Sequence, residues 1–138
     1  MRTRWLLLTF TCVISVSNAQ TYTVADFVDF THTPNSHVLN PVQEPFTVSA
    51  VQGLIQFENG SIVPKAGVLF EIQGPGADRT IRRATSDPHG RFRIDAVPFG
   101  IYKFKTSLDG FESIVGTLIL TKGAPKQNKV VLKLQVEG

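Results

Sequence analysis

The segment Thr85-Ser86-Asp87-Pro88-His89-Gly90-Arg91-Phe92-Arg93-Ile94 runs on into Val97-Pro98-Phe99-Gly100-Ile101-Tyr102-Lys103-Phe104. It reads as a strand end, a Pro/Gly turn, an alternating strand, a second Pro/Gly turn and another alternating strand. Gly90 gives its turn a position open to positive φ, and Phe92 then enters a core. Pro98 and Gly100 launch Tyr102, whose ring is suited to burial while its hydroxyl needs a partner. A chain punctuated this way is confined to short strands joined by tight turns.

The same period of two extends over most of the chain from Thr47 onward. Val51, Gly53, Ile55 and Phe57 share one face, opposite Gln52, Gln56 and Glu58. Asn59-Gly60 is a strong turn dipeptide. Val68, Phe70 and Ile72 alternate with Leu69, Glu71 and Gln73, and Gly74-Pro75-Gly76 ends that strand. Ile81 to Thr85 forms a short strand. Ile114, Leu118 and Leu120 share a face after the Asp109-Gly110 turn. In the last strand Val130, Leu132, Leu134 and Val136 oppose Lys129, Lys133, Gln135 and Glu137. No stretch carries a convincing helical period. Seven short strands, each with one apolar face, predict an all-β sandwich of two antiparallel sheets.

The N-terminus is set apart from the fold. Arg2 and Arg4 precede an apolar run from Trp5 to Val16, and Ser17-Asn18-Ala19 places small residues at −3 and −1. That tripartite order predicts a signal peptide over residues 1–19, cleaved after Ala19. The apolar run is shorter than the ~20 residues that span a bilayer, so the mature chain is not expected to span a membrane. Cys12, the only cysteine, lies inside this segment, and Thr9 and Thr11 before it do not fit a lipoprotein signal. Removing nineteen residues from 138 leaves 119, with no cysteine for a disulfide. Removing Arg2 and Arg4 lowers the 14 basic residues to 12 against 11 acidic ones, a net charge of +1. That balance makes no bulk electrostatic case for nucleic acid. Residues 20–46, with Pro34, Pro41, Pro45, His32 and His37, read as an extended or partly ordered arm. Within it, Val24 to Phe30 could form the one short element, a helix or an added edge strand near Phe27 to Phe30.

From about Thr47 to Val136 the chain resembles the carboxypeptidase regulatory-like domain, a transthyretin-like (prealbumin-like) β-sandwich with a carbohydrate-binding-like fold. The matching order is Gly53-x-Ile55, Asn59-Gly60, Pro64-Lys65-Ala66-Gly67-Val68-x-Phe70, Thr85-x-Asp87-x-x-Gly90-x-Phe92, Val97-Pro98-x-Gly100-x-Tyr102 and Leu108-Asp109-Gly110-Phe111. Phe111 replaces the tyrosine found after this glycine in many relatives. The resemblance implies a sandwich over residues 47–138 in a non-catalytic module of the stand-alone exported bacterial form. Its expected place is the periplasm or the cell exterior, and its expected partner is a protein or a glycan of the cell envelope. Related folds include carbohydrate-binding modules. The transthyretin-like hydrolases place histidines and an arginine in their site and end in Tyr-Arg-Gly-Ser. This chain ends Leu134-Gln135-Val136-Glu137-Gly138 and has only His89 within the sandwich.

No catalytic residue, cofactor site or metal site is expected from the residues. His32 and His37 are spaced by five with Pro34 between them, which suits neither helical nor strand ligation. Asp87, with Asp78 and Asp95, invites a calcium reading, but its turn offers one Asp followed by Pro88 and His89. An Asp bonding its own turn explains it as well. Ser113 and the other serines lack a His–Asp pattern. The remaining candidates belong to a surface. Arg82 or Arg83, Arg91, Arg93, Lys103 and Lys105 fall on consecutive strands, with Arg91/Arg93 and Lys103/Lys105 on the outward faces, and if those strands pair they form one positive ribbon for an anionic glycan, a surface polymer or an acidic partner. Solvated cations discouraging edge aggregation are the plainer explanation. Phe99 and Phe111 are the only loop aromatics available for a sugar ring, and both suit plugging the sandwich ends equally.

Overall fold

A computed structural model of the protein describes residues 21–60, 64–76 and 79–137; the expected signal peptide and Asp78 lie outside them. A 3-10 helix at Val24–Phe27 is followed by β1 (Leu39–Pro41), β2 (Phe46–Val48), β3 (Val51–Phe57), β4 (Leu69–Gln73) and β5 (Ile81–Thr85). Then come β6 (Arg91–Ile94), β7 (Gly100–Ser107), β8 (Ser113–Leu120) and β9 (Val130–Leu134). A large sheet has the order β1-β8-β7-β4-β5, with β2 also paired to β8, and a small sheet has the order β6-β3-β9. The protein is thus an all-β sandwich.

Two details correct the sequence reading. There are nine strands among the described residues, because the chain ahead of β3 adds the short strands β1, in the arm, and β2, at its junction with the sandwich. The pairing is also mixed: β1 and β2 run parallel to β8, and β9 runs parallel to β3. Parallel neighbours here are far apart in sequence, so no local turn signal announces them.

The alternation seen in the sequence becomes the core. Val51, Ile55, Phe92, Val130, Leu132 and Leu134 of the small sheet face Phe70, Ile72, Tyr102, Phe104, Ile114, Leu118 and Leu120 of the large one. Burying each such side chain is worth about 1.5–3 kcal/mol. Three rings cross the middle. Phe70 lies 4.3 Å from Phe92 and 5.5 Å from Phe104 between centroids, so the first aromatic after the Asp87 turn joins the two layers. Gly53 makes the small sheet close: a Cβ there would sit 1.9 Å from the Val130 carbonyl oxygen and 2.9 Å from the Phe92 ring.

Residues 21–48 pack on the large sheet. The helix and the turn after it lay Phe27 and Phe30 on the outward face of that sheet, against Val115, with Tyr22, Leu39 and Ile81 around them. The helix begins where Thr23 N–H donates to the Asp26 carboxylate at 2.8 Å and Asp26 N–H donates to the Thr23 carbonyl at 3.0 Å. Tyr22 Oη and Thr117 Oγ1 lie 2.7 Å apart, tying the start of the described chain to β8.

Candidate functional site

The Asp87 turn is a self-contained structure. Its Oδ1 accepts the amides of His89 and Arg91, each at 2.9 Å. Asp87 N–H donates to the Arg91 carbonyl and Gly90 N–H to the Asp87 carbonyl, each at 2.8 Å, with Gly90 at φ +76°. The Arg91 amide, then the His89 amide, hold the Asp87 carboxyl below its ordinary value of 3.8. Asp87 therefore serves its own turn, as an Asx motif does. The second turn is tied in a similar way: Tyr102 Oη donates to the Pro98 carbonyl at 2.6 Å.

The turn delivers Arg91 and Arg93 to the outward face of the small sheet. There β6 pairs with β3, setting Arg93 beside Gln52 and Arg91 beside Leu54. On the other side of β3, the parallel strand β9 sets Val131 beside Leu54 and Lys133 beside Gln56. Lys129, just before β9, joins Gln52, Leu54, Thr85, Asp87, Arg91, Arg93 and Val131 in lining a groove of about 460 Å³. Arg91, Arg93, Lys129 and Lys133 are all exposed. Arg93 pairs with Asp95 at 2.5 Å, and the other three have no ion-pair partner among the described residues. Lys129 and Lys133 were legible as outward residues of the last strand. Their place beside the arginines was not, because it depends on the β3–β9 pairing.

Lys103 and Lys105 do not join them. The cations expected on one ribbon lie on different sheets, since β6 belongs to the small sheet and β7 to the large one. The arm covers the lysines as well. Lys103 Nζ donates to the Asp26 carbonyl and lies 5.7 Å from the Phe27 ring centroid. Lys105, 1% exposed, donates to the Thr31 carbonyl at 2.8 Å. Its register neighbour Glu71, 0% exposed, accepts Thr31 N–H at 2.9 Å and Thr31 Oγ1–H at 3.0 Å. Arg83 approaches the same carboxylate at 3.2 Å. Burial pushes the Lys105 ammonium below 10.5, and the neighbouring Glu71 charge opposes that fall. Asp29 anchors the arm a second time, accepting from Gln73 at 3.1 Å and from Arg79 Nη2 at 2.6 Å. Those bonds, Gln73 first, lower its carboxyl below 3.8.

The aromatic candidates part company too. Phe111 packs on Phe57 at 5.4 Å between centroids and closes one end of the sandwich through its bridge to Val136. Phe99, 61% exposed, projects from its turn beside a small groove that Ala96, Val97 and Leu120 also line. His32 contacts the Val28 carbonyl at 3.1 Å, and His37 lies 4.0 Å from Glu137, so the two rings do not converge. Ser113 is 1% exposed, out of reach of a substrate. Among the described residues no cluster of three or more His, Cys, Asp or Glu is arranged to hold a metal. No helix among them is long and apolar enough to cross a membrane.

The family description of the carboxypeptidase regulatory-like domain matches residues 50–133, more than half of the chain. The chain belongs to that family. The matched span takes in β3 to β9 apart from the final residue of β9, and with it both turns described above. No curated protein matches the chain. Carboxypeptidase regulatory-like domains are generally non-catalytic modules and are commonly found in exported proteins. The arm precedes the span that defines the family.

Proposed function

We propose that this carboxypeptidase regulatory-like domain is an exported, non-catalytic module that works by binding, and that its binding surface is the outward face of β6-β3-β9. One observation carries the reading. This face gathers Arg91, Arg93 and Lys129 around a groove, with Lys133 further along β9 and Asp95 as their only ion-pair partner among the described residues, whereas Lys103 and Lys105 of the other outward face are occupied by the arm. A net charge of +1 therefore conceals a segregated field, and such a field steers an anionic partner to one side of the molecule.

Amide shift mapping during titration with a polyanion tests the surface. Perturbations are expected on β3, β6 and β9; perturbations confined to the arm or to the Phe99 turn would overturn the assignment. Export has its own check. N-terminal sequencing of the protein from expressing cells is expected to begin at Gln20, and a retained Met1 would refute cleavage after Ala19.

A further inference from the structure

We infer that the groove on the small sheet takes an acidic polysaccharide, a chain of sugars bearing carboxylate or sulfate groups. The inference rests on the binding reading above and names its ligand class. The cations are arrayed along strands and do not converge on a point. Positions two apart on β6, Arg91 and Arg93, are separated by about 6.7 Å, and Lys129 and Lys133 by about 13 Å along β9. A lone small anion would engage one or two of these charges, whereas a polymer with a charge on its repeats engages the array.

The groups between the cations choose among polymers. Gln52 lies between Arg93 and Lys129, and Gln56 lies beside Lys133. Each carboxamide both donates and accepts, which matches sugar hydroxyls. Leu54 and Val131 supply an aliphatic floor. Phe92 is the one aromatic residue in the groove's lining, and its buried ring stacks on Phe70 in the core, so nucleic-acid bases find no exposed platform here. An extended peptide docks by adding a strand to a sheet edge. At the centre of this face the backbone of β3 is already paired on both sides, leaving only side chains to read a ligand.

The test is calorimetric titration of the purified protein with polygalacturonate oligosaccharides, neutral dextran and poly-L-glutamate, at low and at physiological salt. Polygalacturonate is expected to bind, to weaken as salt is raised, and to lose about tenfold in affinity in the Arg91→Gln/Lys129→Gln variant. Lys122→Gln, an exposed charge just after β8 that does not line the groove, is expected to bind within about twofold of the parent, as a surface charge outside the contact should. Thermal melts check that each variant folds. Dextran binding as well as polygalacturonate would overturn the role of charge. Poly-L-glutamate binding equally or more tightly would overturn the sugar assignment while sparing the surface. Failure of both polyanions at millimolar concentration would overturn both readings.

Discussion

Two pairs of cations share one spacing and meet opposite fates. Arg91-x-Arg93 and Lys103-x-Lys105 are each set two apart on a strand whose alternate residues fill the core. On the small sheet the arginines remain at the surface beside an open groove. On the large sheet the lysines lie beneath a strap of chain, and Lys105 is as buried as a core residue. Alternation decides only which way a side chain leaves its sheet. What it meets there depends on whether another part of the chain covers that face. The same outward position is a contact surface in one case and an anchor in the other.

The contrast breaks most severely at Glu71. Glu71→Ala removes the acceptor for Thr31 N–H, Thr31 Oγ1–H and Arg83, and it leaves Lys105 buried beside an empty position. Breaking a buried charge pair this way costs about 3–5 kcal/mol, measured by denaturant unfolding; a loss under about 1 kcal/mol would mean that water takes the place of the carboxylate. Next comes Phe27→Ala, which removes a fully buried ring from the arm–sheet contact, at about 3 kcal/mol. Its signature is local. Hydrogen exchange at Phe30 and Val42 is expected to accelerate before exchange within β7, and uniform acceleration would show that arm and sandwich unfold as one unit.

Tyr102→Phe keeps the ring and deletes only the bond to the Pro98 carbonyl, with an expected loss of about 1 kcal/mol in the same unfolding assay. Acid separates the two faces more gently. Asp29 and Asp87 are both held below 3.8 in the folded protein, so their stabilisation is complete above 3.8 and is lost as pH falls below it. Melting temperatures followed into acid should therefore decline less steeply in Asp29→Asn than in the parent, and an identical decline would remove Asp29 from the anchoring of the arm. The smallest effect belongs to the open face. Arg91→Gln is expected to change stability by less than about 0.5 kcal/mol, while Lys105→Gln, under the arm, changes it measurably; equal effects would erase the distinction between the faces.

Much of the sandwich was legible because its instructions are local. Asp87, Gly90 and Phe92 lie within six residues and fix a turn, a strand start and a core contact between them, as do Pro98, Gly100 and Tyr102. The inward faces of β3, β4, β7, β8 and β9 followed from alternation alone. The arm was not legible in the same way. Phe27 and Phe30 are too few to declare a helical period, although Thr23-x-x-Asp26 is a capping signature that marks the helix start. Nothing near Glu71 or Lys105 announces burial, because Thr31, which satisfies both, is 40 and 74 residues away. The grouping of the small-sheet cations was hidden for a related reason: Lys129 and Lys133 reach Arg91 and Arg93 only across β3, through a parallel pairing that no turn encodes.

The pairing of β1 and β2 with β8 has one more effect. Without the arm, β8 would end the large sheet as eight residues, mostly apolar, with a row of unpaired amides and carbonyls. A bare strand of that length and character is a template on which other copies of the chain would stack. The arm seals it, with Val42 N–H donating to the Val115 carbonyl at 2.8 Å between the two short strands. The new border is broken into two three-residue pieces. It contains Pro41, and Pro45 lies between the pieces, and a proline has no amide hydrogen to offer a further strand. The arm thus replaces one long apolar border of the large sheet with a short, interrupted one.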